Sequence, residues 1–290
     1  MFLHLRNLKY LKILRGSSEK PDVEHINRFG EYYICYLGSK HAEKYAITNS
    51  CSSGMDKNKN VAVAKCISEF IERAAFRHGL SIGDPHCRTQ RSEGFAALPL
   101  HVSSCEKKVR DISLCESIER YSWPHFWHHD IGFTKESAAH STLSFSQKIP
   151  LQSLEYIFPD IDSKYIFCIC LGKIGSDGAI VGSACAKTKQ EAQEHAMTEM
   201  IRHYIGVVNI RNGYESQDKN YGNRLKYLSE KGFSLYKKRL QKNSGVAITL
   251  PKLEIDSIID HNFSETHMVY RTRFFGQMQF INENIEVGYI

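Results

Sequence analysis

Two eight-residue stretches constrain the folding of this chain more than anything else in it. "SEFIERAA", residues 68 to 75, and "CESIERYS", residues 115 to 122, share the order Glu, two spacers, Glu, Arg. Around the first, apolar residues recur at Val63, Ile67, Phe70, Ile71 and Ala74. That spacing makes one apolar stripe on a helix and leaves Glu69, Glu72 and Arg73 together on its flank. Around the second, Leu114, Ile118 and Tyr121 form the apolar side of a helix expected over about Val109 to Trp123, which Pro124 ends or kinks. The fold must therefore pack two helices that each carry two carboxylates and an arginine beside a buried face.

Taken singly, a Glu and an Arg four apart are what a solvated helix uses for a few tenths of a kcal/mol. Repetition adds a second reading. Carboxylates gathered from different helices repel one another unless a cation sits among them, and a hard ion such as Mg²⁺ meets that need. Such ions commonly arrive with phosphates, which the neighbouring arginines could also contact. The chain has no Gly-x-x-x-x-Gly-Lys phosphate loop and no Gly-x-Gly-x-x-Gly fingerprint.

The remaining elements alternate. "GEYYICYLGSK" reads as a strand and its turn, "TNSCSSGMDKN" as a loop and helix start, and "SEGFAALPL" as a short strand or loop. "YIFCICLGKIGSDGAIVGSACA" reads as two strands joined by a "GSDG" turn. A third helix follows, "KQEAQEHAMTEMIRHYIG", burying Met197, Met200, Ile201 and Tyr204 and leaving His195, Glu199, Arg202 and His203 near one face. "ETHMVYRTRFFGQMQF" alternates like a strand, with Arg271 and Arg273 on the same side. The class is α/β or α+β.

Without a Gly/Ser or Pro-rich linker, the 290 residues read as one domain with ample core, 42% of them hydrophobic. The excess of Lys and Arg over Asp and Glu, 38 − 32 = 6, is spread along the chain and favours an anionic ligand only weakly. Nine cysteines, scattered apart from Cys168 and Cys170, point to reduced thiols in a cytoplasm. No stretch approaches the roughly 20 apolar residues of a membrane helix. "MFLHLRNLKYLKILRG" is interrupted by charges and reads as a first helix or strand, not a signal peptide.

Three segments resemble, in order, the signature regions of the YcaO superfamily: "SSGMDKNKNVAVAKCISEFIERAAFR", "SEGFAALP" with "VRDISLCESIERYSWPHFW", and "GSACAKTKQEAQEHAMTEMIRHY". They span about residues 50–78, 92–127 and 181–206, with a C-terminal strand region at about 265–281. The resemblance implies an α/β fold in which acidic helices pack on mixed β-sheets within one domain. It also implies an enzyme that uses ATP and Mg²⁺ to activate backbone amides of a ribosomally made precursor peptide. The expected outcome is cyclodehydration of Cys, Ser or Thr to thiazoline or oxazoline, as in thiazole/oxazole bacteriocin synthesis. Two alternatives stay open: thioamide formation with a sulfur donor, and a non-catalytic nucleotide-binding regulatory subunit.

Carried over by motif, the resemblance assigns Glu69, Glu72, Arg73, Glu116, Glu119, Arg120, Glu199, Arg202, Arg273 and Lys57 to nucleotide binding. Of these, Glu69, Glu72, Glu116 and Glu199 would hold Mg²⁺; no catalytic residue is assigned. Arg271 is the reserve for Arg273. The chain departs from the family pattern at two places. Gly54-Met55-Asp56 stands where Gly-Lys-Gly is common, with Lys57 or Lys59 as substitutes, and Arg202 stands where a Gln is common. The ending "EVGYI" lacks the proline-rich terminus of many azoline-forming members, and no separate substrate-docking domain is recognisable. A precursor peptide, a leader-binding partner protein and an oxidase subunit are the expected partners, with a homodimer left open and neither membrane nor nucleic acid among them.

Other features carry bland readings beside sharper ones. His125, His128, His129 and Asp130 cluster without zinc-like spacing and read as structural. Cys168 and Cys170 read as small core residues, and Cys115 and Cys185 lie near the acidic motifs. The basic, tyrosine-rich run over 212–244 reads as a solvated helix pair, with an RNA or acidic leader contact as its alternative.

Overall fold

The computed structural model describes residues 23–37, 53–81, 93–138, 149–213, 219–259, 261 and 263–277. The leucine-rich N-terminal run and the ending "EVGYI" lie outside the described residues. The chain divides into two compact units, one of residues 1–88, 95–113 and 256–271, the other of 89–94, 114–255 and 272–290.

In the first unit, β1 (Val23–Phe29), β2 (Tyr32–Leu37) and β3 (Ser53–Asp56) form an antiparallel sheet in that order. Helix α1 (Lys59–Ser81) packs on it, burying Val63, Ile67, Phe70, Ile71 and Ala74, the stripe expected from their spacing. Asn58 caps its start: the side-chain oxygen accepts from the N–H of Asn60 at 2.9 Å. Ser53 to Asp56, expected as loop, is instead a strand, because its backbone pairs with Tyr33 to Tyr36 of β2. Gly54 makes this packing feasible, since a Cβ there would stand 1.9 Å from the carbonyl oxygen of Ala62.

Strands β4 (Gly94–Pro99), β9 (Leu253–Ile259) and β10 (His267–Phe274) form a second sheet, in the order β4-β10-β9, and contribute residues to both units, as does helix α2 (Cys105–His128). Buried in the first unit, His267 is 1% exposed. Burial, with smaller repulsions from His261 and His101, pulls its pKa down to about 3. The unfolded chain takes up a proton near pH 6.5 that the folded chain refuses until about 3. Stability is therefore full above pH 6.5 and falls by roughly 1.4 kcal/mol per pH unit as pH drops from there. Thermal melts between pH 7 and 4 should show this slope, and His267→Gln should flatten it; an unchanged slope in the variant would reject the assignment.

The second unit is built on a four-stranded antiparallel sheet, β5 (Phe133–Ser137), β6 (Leu151–Pro159), β7 (Ile166–Ile174) and β8 (Gly178–Ala186), in that order. β7 and β8 are the two strands expected around "GSDG". β7 is apolar almost throughout because both its faces are covered. Phe167, Ile169 and Leu171 pack with Trp123 and Phe126 of α2 and with Tyr236, whereas the Cys170 sulfur lies 3.7 Å from that of Met200. Met200 belongs to α3 (Lys189–Arg211) and Tyr236 to α4 (Lys219–Leu240). Thr188 caps α3, accepting from the N–H of Glu191 at 3.2 Å and donating to its carboxylate at 3.0 Å. α3 buries Ala192, Ala196, Met200, Ile201 and Val207; the expected Met197 and Tyr204 are half-buried.

Two further expectations are corrected. Pro124 does not end α2, which continues to His128 because Trp123 and Phe126, 1% and 0% exposed, anchor its last turns in the core. The run expected as a helix pair is one helix, α4, with Leu225, Leu228 and Tyr236 buried. Every registered pairing within these two sheets is antiparallel, so the acidic helices of a mixed α/β chain lie on antiparallel layers. Among the described residues no helix is long and apolar enough to cross a membrane.

Candidate functional site

In the first unit, α1 presents its motif toward strand backbones. A Glu69 carboxylate oxygen accepts the N–H of Ser53 at 3.1 Å, and its other oxygen lies 3.7 Å from the Arg73 guanidinium. Glu72 accepts the N–H of Ala97 at 2.9 Å. Both acids thus join the helix to strand backbones, Glu69 to β3 and Glu72 to β4. Lys57 is paired with Glu31 at 2.9 Å on an exposed corner, and its ammonium lies over the Tyr32 ring. Lys65, which the motif did not single out, bonds Asp56 at 2.8 Å and the Met55 carbonyl at 3.2 Å. Arg271 is 3% exposed, its guanidinium over Phe95.

The second unit gathers the other two motifs. Arg120 holds Glu116 through Nε and Nη2, at 2.9 and 2.5 Å. A single nitrogen of Arg202, Nη1, donates to both oxygens of Glu199, at 2.8 and 3.1 Å. Glu119 is different: its carboxyl is buried and accepts the Ser183 hydroxyl at 2.5 Å, and that oxygen in turn receives the indole N–H of Trp123 at 2.6 Å. Burial, followed at a distance by the negative charges of Glu199 and Glu116, pushes its pKa up to about 7, against the opposing pull of Ser183 and Arg120. Glu199 and Glu116 each therefore stand close enough to Glu119 to repel its charge. Arg273 pairs with Glu254 at 3.3 Å and with the buried Glu93 at 3.8 Å.

Ser183, Trp123, Glu93 and Glu254 were not singled out from sequence. Trp123 had a usable signal, lying four residues after Glu119 and so on the same helix face. A set of carboxylates under mutual repulsion suits a hard divalent cation in donor chemistry. Among the described residues, though, no three of His, Cys, Asp or Glu form a grouping that would hold a metal ion as it stands. One oxygen of Glu116 and both oxygens of Glu199 are turned onto their arginines.

The bland readings elsewhere have structural counterparts. His125 donates through Nδ1 to the Tyr121 carbonyl, 2.7 Å away, and stacks on the Tyr121 ring. Burial lowers its pKa and that of His128. Cys168 and Cys170 are 0% exposed, and burial raises both thiols far above their usual range. They are inert core residues.

The architecture is a YcaO-type fold, defined by these acidic helices on their antiparallel sheets. No protein-family model matches the sequence, and no curated protein matches it. Solved structures do. A chain of the E. coli microcin synthetase McbBCD complex matches 87% of this chain and 86% of its own, with a TM-score of 0.54 at 9% identity. YcaO from Methanopyrus kandleri, bound with AMPPCP and Mg²⁺, matches 98% of this chain and 94% of its own, with a TM-score of 0.60 at 14% identity. The microcin synthetase complex with pro-MccB17 bound matches 86% of each chain, with a TM-score of 0.55 at 10% identity. At such identities the likeness is one of fold.

Proposed function

We propose that the chain is a YcaO-type enzyme that uses ATP and Mg²⁺ to activate backbone amides of a ribosomally made precursor peptide, forming azolines from Cys, Ser or Thr as one subunit of a synthetase. The observation that carries this reading is the set of repelling carboxylates, Glu116, Glu119 and Glu199, each backed by an arginine or a buried donor. Support comes from the neighbours, one bound with AMPPCP and Mg²⁺ and another a microcin synthetase.

In this reading the motif acids, Glu116 and Glu199 in the second unit and Glu69 and Glu72 in the first, are the candidate Mg²⁺ ligands, and the ion would supply charge neutralisation to nucleotide phosphates. Arg73, Arg120, Arg202, Arg273 and Lys57 are the candidate phosphate contacts, each able to exchange a carboxylate partner for a phosphate oxygen. The peptide's own side chain adds to the preceding amide carbonyl. The resulting oxygen takes the terminal phosphoryl group of ATP and leaves as phosphate, so that ATP becomes ADP and the peptide loses the elements of one water per ring. A leader-binding partner and an oxidase subunit complete the assembly.

One feature favours a second reading, a nucleotide-binding subunit without catalysis: the guanidinium of Arg202 already neutralises Glu199 on both oxygens. Mass spectrometry of the precursor peptide co-produced with this chain and its partners separates the two. Loss of one water per modified residue is expected. Exchange of oxygen for sulfur would mean thioamide chemistry, and an unchanged peptide under every combination of partners would leave the non-catalytic subunit.

A further inference from the structure

Trp123 and Ser183 form a one-way hydrogen-bond chain that ends on Glu119. An indole N–H can donate but has no acceptor to offer, so at 2.6 Å from the Ser183 oxygen it donates. That oxygen thereby has one site filled, and the single hydroxyl proton goes to Glu119 Oε1, 2.5 Å away. Trp123 is not free to turn elsewhere. Its residue is 1% exposed, and its ring is held edge-on by Phe126 and Phe167 at centroid distances of 6.1 and 5.7 Å. Helix α2 supplies both ends of the chain, Glu119 and Trp123, one turn apart, and β8 supplies the middle.

A buried indole needs one acceptor, and a serine or a backbone carbonyl alone would suffice. The carboxylate is the member that needs explaining. It is buried, and two like charges disfavour its ionised form. A donor fixed on one oxygen favours that form and sets the direction of the second oxygen. We infer that Ser183 and Trp123 are positioning residues, which hold the Glu119 carboxylate in a single orientation beside Glu116 and Glu199, the candidate Mg²⁺ ligands of the second unit. This inference rests on the function proposed above.

Binding of AMPPCP by the full chain, measured by titration calorimetry with and without Mg²⁺, tests it. Ser183→Ala should weaken the Mg²⁺-dependent affinity roughly tenfold and Trp123→Phe about threefold, while Ser183→Thr, which keeps the hydroxyl, should retain it. Because the residues act in series, the double variant should bind no more weakly than Ser183→Ala alone. A purely structural pair would give the opposite pattern: melting temperatures falling additively, with affinities equal to that of the wild type. That result would overturn the inference and leave the proposed function standing. Absence of Mg²⁺-dependent binding by the wild-type chain would overturn the proposed function and the inference with it.

Discussion

Glu199→Gln is expected to abolish Mg²⁺-dependent ATP turnover and to weaken Mg²⁺-dependent AMPPCP binding at least about tenfold, with the melting temperature moving no more than about 2 °C. The two parts of this expectation have different origins. Glu199 is partly exposed, its side chain retaining 36% of its accessible surface, and its ion pair with Arg202 is local, three residues along one helix. Such a pair contributes at most about 1 kcal/mol to stability, and the glutamine keeps its shape. The negative charge, by contrast, cannot be replaced as a ligand for a hard cation. Glu69→Gln is less informative, because Glu69 also accepts the Ser53 N–H, so stability and binding would change together. If Glu199→Gln retains full turnover in a purified complex, the third acidic helix has no part in the site. If turnover disappears only because the protein melts early, the pair with Arg202 was structural.

How far the molecule could be read from its sequence depended on the range of the interaction. The stripe from Val63 to Ala74 fixes α1 because residues three and four apart share a helix face, and all five are buried. Thr188 and Glu191 likewise announce the start of α3 within a single turn. The Glu-x-x-Glu-Arg order places each arginine one turn from its acid, and Arg73 and Arg120 do pair with Glu69 and Glu116. Interactions between distant segments left no such trace. Ser53 to Asp56 has too few residues, one of them glycine, to show alternation, and becomes a strand only because β2 lies beside it. Glu119 and Ser183 are 64 residues apart. Nothing periodic connects them, so the different environment of Glu119, set within the same motif as Glu116, became visible only with the fold.

Pro124 illustrates the same limit and leads to the largest expected loss of stability. Proline removes the N–H that would bond the carbonyl four residues back, and its ring crowds that carbonyl, which is why a helix ending there was a sound expectation. Besides the core contacts of Trp123 and Phe126, donors from α4 hold the turn beyond it. Arg239, 5% exposed, donates through Nε to the carbonyl of Phe126, through Nη2 to that of His129 at 3.0 Å, and through Nη1 to that of Lys242 at 2.6 Å. Its guanidinium carbon lies 4.1 Å from the centroid of the Phe126 ring. Two of those acceptors are carbonyls at the C-terminal end of α2, where a cation also meets the negative end of the helix dipole. Arg239→Met keeps the stem and removes every donor, so three carbonyls lose a partner and the cation–π contact disappears. The expected cost is about 3–5 kcal/mol, or about 10 °C in melting temperature by thermal denaturation. Arg239→Lys should recover only part, since a point charge cannot span three acceptors. A shift under about 2 °C for Arg239→Met would mean that the core contacts of Trp123 and Phe126 carry the last turn of α2 unaided. With Arg239 lost, the turn that carries Trp123 loosens, and the nucleotide affinity assigned to Glu119 should fall with it.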